Sequence, residues 1–161
     1  MADLLTHVLV AYAIGTLLSL RYTWLTPRYV TIVMMGALLP DLNRLSLVVD
    51  DYWMEMYLGM PFTWFGFHTL GGVVIVSAIG GVLAGDEHRR RVVALLLLGA
   101  LSHLVLDALL FLPSGYSAPM WWPVTEQRLP TPGWYMSYHR WPVVLAGAIA
   151  AAAWGLRRRV T

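Results

Sequence analysis

Five apolar stretches, at residues 4–20, 29–49, 65–84, 92–112 and 141–156, occupy most of a chain of 161 residues. Crossing the hydrocarbon of a bilayer takes about 17 to 25 mainly apolar residues in a helix. The first four stretches meet that length, and the fifth is shorter but rich in Ala. The pattern predicts an all-α integral membrane protein, a single domain over residues 1–161 built as a bundle of about five transmembrane helices. An aromatic, Pro-rich outer segment at 113–140 joins the fourth helix to the fifth. Composition agrees: 58% of the chain is apolar and 12% charged, against about 45 to 50% and 25% in soluble domains. The first stretch has no basic flank and carries His7 within its apolar run, so it is expected to be retained as a helix and not removed as a signal peptide.

Charge sets the expected orientation. All eleven basic residues are Arg, and Lys is absent. With five spans, Arg21, Arg28, Arg89, Arg90, Arg91, Arg157, Arg158 and Arg159 all fall on one side. Short cytoplasmic loops concentrate such charge, so the C-terminus is expected in the cytoplasm and the N-terminus outside, in a multi-pass protein of the cytoplasmic membrane. The two Arg triplets read as topology signals, and no nucleic-acid partner is expected. Glycines at 71, 72, 80, 81, 85 and 147 permit close helix packing. Tyr52, Trp53, Trp64, Trp121, Trp122 and Trp134 suit the headgroup layer.

Ionisable residues inside the spans carry the functional signal, since a carboxylate at mid-membrane costs roughly 2.5 to 3.5 kcal/mol on insertion scales. They are His7, Asp41, Arg44, His68, His103 and Asp107. With about 1.5 Å rise per residue, His7, Asp41, His68, His103 and Asp107 all fall roughly 5 to 15 Å below the outer surface, although they come from four helices. His103 and Asp107 are i and i+4 and share a helix face; Asp3 and His7 have the same offset. Pro40, next to Asp41, is expected to break the second span by turning Leu39 away from helix, which is tolerated where backbone lines a cavity. Cys is absent, so a metal site must use imidazole and carboxylate. Three imidazoles and two carboxylates suit zinc or another divalent transition metal, as one ion or two, and an ion with an open position supplies hydroxide at neutral pH.

Thr6-His7, Pro40-Asp41-Leu42-Asn43, Phe67-His68-Thr69, Ser102-His103 with Asp107, Gly115 and Trp122-Pro123 resemble the YdjM-like family of membrane-bound metal-dependent hydrolases, also described as LexA-binding, inner-membrane-associated hydrolases. The likeness runs over about residues 1 to 123. That family is similar in turn to the zinc-dependent phospholipase C and P1 nuclease superfamily. The resemblance implies a metal held by Asp41, His68, His103 and Asp107, with Asp107 bridging to a second ion near His7. The chain departs from the pattern at Asn43, where many relatives have Asp, and at Phe65-Gly66-Phe67, where many have a His-Arg pair. The superfamily's further His-x-x-x-Glu pair has no counterpart, because His139 is followed by Val143. One or two ions are therefore expected, not three. The exclusive use of Arg is similar to that of extreme halophiles and hints at an archaeal source.

The expected function is a membrane-embedded hydrolase whose metal-bound hydroxide attacks a phosphoester, with a lipid favoured as substrate by the depth of the site. His7, Asp41, His68, His103, Asp107 and Asp3 are the candidate ligands, and Asp41, Asp107, Arg44 and His139 the candidate catalytic residues. Blander roles stand beside these. His103 and Asp107 could form a hydrogen-bonded pair within the bundle, Asp41 could pair with Arg44 at i+3, and His139 could be a plain interfacial residue. The alternative function is a non-catalytic metal-binding membrane protein, structural, sensory or partner-binding. Transport is disfavoured because the inner halves of the spans hold no ionisable station.

Overall fold

A computed structural model describes residues 3–160 and is all-helical, with no β-strand among the described residues. Helix α1 (Leu4–Arg21) ends at extended Tyr22, and α2 (Pro27–Gly36) opens with Pro at its first position, where a missing N–H is harmless. A 3-10 helix follows at Pro40–Leu47, bent by 52° from α2. The break expected at Pro40 is present, but its mechanism differs. Leu39 stays in the right-handed helical region, and the chain turns by tightening: Leu38, Leu39 and Asp41 donate to carbonyls three residues back.

A short helix not expected from the apolar pattern, α3 (Asp51–Leu58), lies next. Its first turn is capped by the Asp50 carboxylate, which accepts from the Trp53 N–H at 2.9 Å, and Gly59 closes it at φ 66°. Tyr52, Trp53 and Tyr57 on it are exposed. The predicted third span also divides, into a 3-10 turn at Trp64–His68 and α4 (Leu70–Leu83). Thr69 caps α4, its hydroxyl accepting from the Gly72 N–H. The Leu70 and Gly71 N–H groups donate to the Met120 and Trp122 carbonyls, so the outer segment satisfies the start of α4. Helices α5 (Arg89–Ala108) and α6 (Trp141–Val160) complete the set.

Helix α5 is central, packed on α2, α4 and α1, while α6 lies along α1. Helices α2 and α5 touch backbone to backbone at Gly36 and Gly99. Gly80 and Gly81 of α4 admit Leu96 and Val93 of α5, whereas Gly71 and Gly72 admit Trp122 and the 3-10 turn. The outer segment folds back over the bundle: Tyr135 is buried and its hydroxyl donates to the Leu106 carbonyl at 2.6 Å. Burial, reinforced by the nearby Asp107 carboxylate, pushes the Tyr135 phenol upward from its ordinary range.

Helices α1 and α5 are long and apolar enough to cross a membrane, and the bent α2 pair makes a third candidate if taken as one span. Helix α4 is apolar but has 14 residues, and α6 finishes in Arg157, Arg158 and Arg159. Of the five expected spans, two or three thus qualify by helix length and composition. Large apolar side chains stand exposed along α4 and α6, among them Ile75, Ile79, Val82, Val144 and Leu145, as lipid-facing surfaces do.

The two ends of the bundle differ sharply. Arg91 lies over the Trp24 ring at 5.2 Å, and Tyr29 meets His88, which joins the start of α5 to the α1–α2 turn. Leu9 faces Gly147, and Tyr12 lies beside Trp154 and Arg157, so α6 runs parallel to α1. Arg21, Arg28, Arg89 to Arg91 and Arg157 to Arg159 therefore gather at one end. The polar cluster described next lies towards the other.

Candidate metal centre

His7 lies in the first turn of α1, Asp41 in the 3-10 helix after α2, His68 at the residue pair before α4, and His103 and Asp107 one turn apart near the end of α5. Up-and-down packing carries these separate segments to one place. His7 Nε2 is 3.4 Å from Asp107 Oδ1; His68 Nε2 and His103 Nε2 are 3.1 and 3.5 Å from Asp107 Oδ2. The His7 and His103 rings stack with centroids 3.7 Å apart, and His68 meets His103 edge-on at 5.2 Å. His7 and His103 are 0% exposed, His68 and Asp107 4%, and Asp41 8%. Two donor sets result, His7 with His103 and Asp107, and Asp41 with His68 and His103; within each, the donor atoms lie within 4.8 Å of one another.

The break at Pro40 explains how two of the rings are held. Pro40 has no N–H to offer Gly36, and Asp41 donates to Leu38, not to Ala37. The carbonyls of Ala37 and Pro40 instead face imidazoles: His103 Nδ1 is 2.7 Å from the Ala37 oxygen, and His68 Nδ1 is 3.3 Å from the Pro40 oxygen. A carbonyl only accepts, so Nδ1 carries the proton in both rings and donates it. In the neutral ring Nε2 then presents a lone pair. Both lone pairs face the Asp107 carboxylate, an electrostatic conflict that a cation between them resolves. Backbone carbonyls behind ligating imidazoles are the usual way to fix tautomer and ring plane.

Buried polar atoms normally find partners. Here His7 Nε2, His103 Nε2 and Asp41 Oδ2 have no hydrogen-bond partner among the described residues. A zinc–nitrogen bond of about 2.0 to 2.1 Å sets tetrahedral ligand atoms about 3.3 to 3.4 Å apart, close to the 3.1 to 3.5 Å separations around Asp107. The residues fit a divalent ion.

Arg44 Nε donates to Asp41 Oδ1 at 3.1 Å, and its side chain is 43% exposed, so the ion-pair role is realised while part of the guanidinium faces outward. Asp3 and His139 are not brought into the cluster. Asp3 is exposed in extended backbone just before α1, and together with His139 it lines a separate cavity of ≈ 260 Å³. His139 Nδ1 accepts there from the Met136 N–H at 3.2 Å. Two contributors escaped the sequence: the Ala37 and Pro40 carbonyls. A proline breaking a helix beside an intramembrane Asp was the available signal for the carbonyls.

Pro40→Ala supplies an N–H in α-helical register with the Gly36 carbonyl, which now accepts from the Leu39 N–H, and lets α2 run on, which withdraws the Ala37 carbonyl from His103. We expect metal affinity to fall by about 10- to 100-fold, the range for loss of an outer partner, measured by competition with a metal chelator.

The family described as YdjM inner membrane protein matches residues 1–161 of the chain. No curated protein and no solved structure matches it.

Proposed function

The chain belongs to the YdjM inner membrane protein family, and from the geometry of its polar cluster we propose that it is a membrane-embedded, metal-dependent hydrolase of phosphoesters, with a lipid as substrate. His7, Asp41, His68, His103 and Asp107 hold one or two divalent ions, and zinc suits a donor set rich in imidazole. An ion held there supplies Lewis acidity and lowers the pKa of water towards neutrality. The observation that carries this reading is the convergence of three imidazole Nε2 atoms on the Asp107 carboxylate while two of the rings are clamped from behind by carbonyls.

The residues of the chain divide the remaining work. Asp41 anchors Arg44 through Nε, leaving the other N–H groups of the guanidinium for phosphate oxygens, which its planar fork matches. Asp41 and Asp107 supply the negative charge that draws a cation into an apolar setting. His68 and His103 are fixed as lone-pair donors at Nε2. In the proposed topology the bundle crosses the membrane five times with the N-terminus outside. Eight arginines at one end and the cluster towards the other support it; on that topology the centre would lie in the outer half of the bilayer, where phospholipid and isoprenoid phosphates present their esters.

Burial of all five donors supports a second reading, a non-catalytic metal-binding protein, because structural sites are closed whereas catalytic ones keep an open position. Zinc-loaded protein incubated with phospholipids, isoprenoid phosphates and a short soluble phosphoester separates the two. On the first reading at least one ester is hydrolysed, and Arg44→Gln raises KM by about ten-fold or more, the worth of a charge-assisted hydrogen bond, with metal content unchanged. Full metal occupancy without turnover on any ester favours the second.

A further inference from the structure

At the arginine end, α1, α2 and α6 leave a groove between them of ≈ 350 Å³, lined by Tyr12, Val30, Thr31 and Met34 on one side and by Trp154, Arg157 and Arg158 on the other. From Pro27 to Met34 it follows α2 for about 10 Å at 1.5 Å rise per residue. Its character changes along that length. Val30 and Met34 line the part towards the middle of the bundle, while Arg157 and Arg158 stand at the mouth. Arg158 is already held over the Trp154 ring, 4.0 Å from its centroid, so its guanidinium is positioned without a bound acid.

We propose that this groove binds an anionic phospholipid of the leaflet at the arginine end, the phosphate against Arg157 and Arg158 and the first methylenes along Val30 and Met34. Charge complementarity selects that occupant. Eight arginines gather at this end, whereas Asp86 and Glu87 are the acids in its loops, and Asp86 is paired with Arg89 at 2.6 Å. Basic pockets between membrane helices on the cytoplasmic side recognise anionic headgroups, and Trp154 has the amphipathic ring of the interfacial belt. A free anion would use the arginines alone; the apolar continuation matches only a molecule with a chain. The site is separate from the polar cluster and does not depend on hydrolysis.

The test is native mass spectrometry of the full chain released from nanodiscs of phosphatidylglycerol or of phosphatidylcholine. Phosphatidylglycerol is expected to stay bound and phosphatidylcholine to leave. Arg157→Gln with Arg158→Gln is expected to weaken retention by roughly 10- to 30-fold, since each arginine near an anionic surface contributes about five-fold. Arg90→Gln with Arg91→Gln, which removes equal charge on the same side outside the groove, is expected to leave it unchanged. Thr31→Trp, at an exposed position on the groove wall, fills the apolar part without altering charge and is expected to expel the lipid as well. Equal loss in both double variants, equal retention of the two lipids, or complete displacement by excess inorganic phosphate would overturn the assignment.

Discussion

On the proposed metal-centre reading, Asp107→Ala is expected to abolish zinc binding and, with it, the whole zinc-dependent part of the stability of the protein. Asp107 touches three imidazoles through two oxygens, so its removal takes away a carboxylate donor, a charge and the group on which the three rings converge. Loss of outer partners costs about 10- to 100-fold in affinity, and loss of this carboxylate is expected to exceed 100-fold. At a metal concentration about 1,000 times the dissociation constant, binding to the native state contributes roughly 4 kcal/mol, and that increment disappears in the variant. The competing account makes Asp107 the partner of protonated histidines with no metal present. On that account truncation strands buried charge and costs about 3 to 5 kcal/mol regardless of metal. The two separate by sign in chelator-treated protein. A metal centre predicts that the variant without metal is no less stable than the wild type without metal, since a buried carboxylate facing imidazole lone pairs has been relieved. Thermal unfolding with and without chelator, beside metal analysis, decides between them.

The buried polar cluster was legible because a membrane makes ionisable residues conspicuous. His103 and Asp107 needed only the four-residue helical offset, and the shared depth of His7, Asp41 and His68 followed from alternating helix direction and the arginine distribution. Asp3 shows the limit of that logic. It has the same four-residue offset from His7, but it precedes the helix in extended backbone, and an offset places two residues on one face only where both are helical. The division of residues 29–49 and 65–84 into helix and 3-10 turn was half visible: Pro40 marked the first break, but nothing in Trp64–His68 looks unlike helix in apolar content. Helix α3 was hidden because its 8 residues are too few for a span and no residue of it is buried. The carbonyls that orient His68 and His103 are invisible to any inventory of side chains, since backbone oxygens become donors' partners only once the fold leaves them without their own.

Gly99→Ala is expected to disable the centre from outside it. A Cβ at Gly99 would lie 2.0 Å from the Val33 carbonyl oxygen and 2.7 Å from the Ala37 nitrogen, and one at Gly36 would lie 2.2 Å from the Leu96 oxygen. Carbon and carbonyl oxygen settle at about 3.3 Å or more. The obstructing atoms are backbone, which no rotamer change can move, so α2 and α5 must separate by about 1 Å. Overpacking of this kind costs about 1 to 3 kcal/mol or more, at an interface where small residues provide the close contact that holds membrane helices together. Helix propensity alone argues the reverse, since Ala in a helix interior is worth about 1 kcal/mol over Gly; a stabilised variant would show that the two helices do not meet as described. The separation also acts on His103. Its 2.7 Å bond to the Ala37 carbonyl spans this same interface, so moving α2 away breaks it, frees the ring to rotate and releases the fixed tautomer. Gly99→Ala should therefore lower both the unfolding temperature and zinc affinity, the latter by about 10- to 100-fold, although residue 99 offers the ion no donor. Measured together, the two losses separate a helix contact that merely stabilises the bundle from one that also sets the Nε2 lone pair of His103 on the metal.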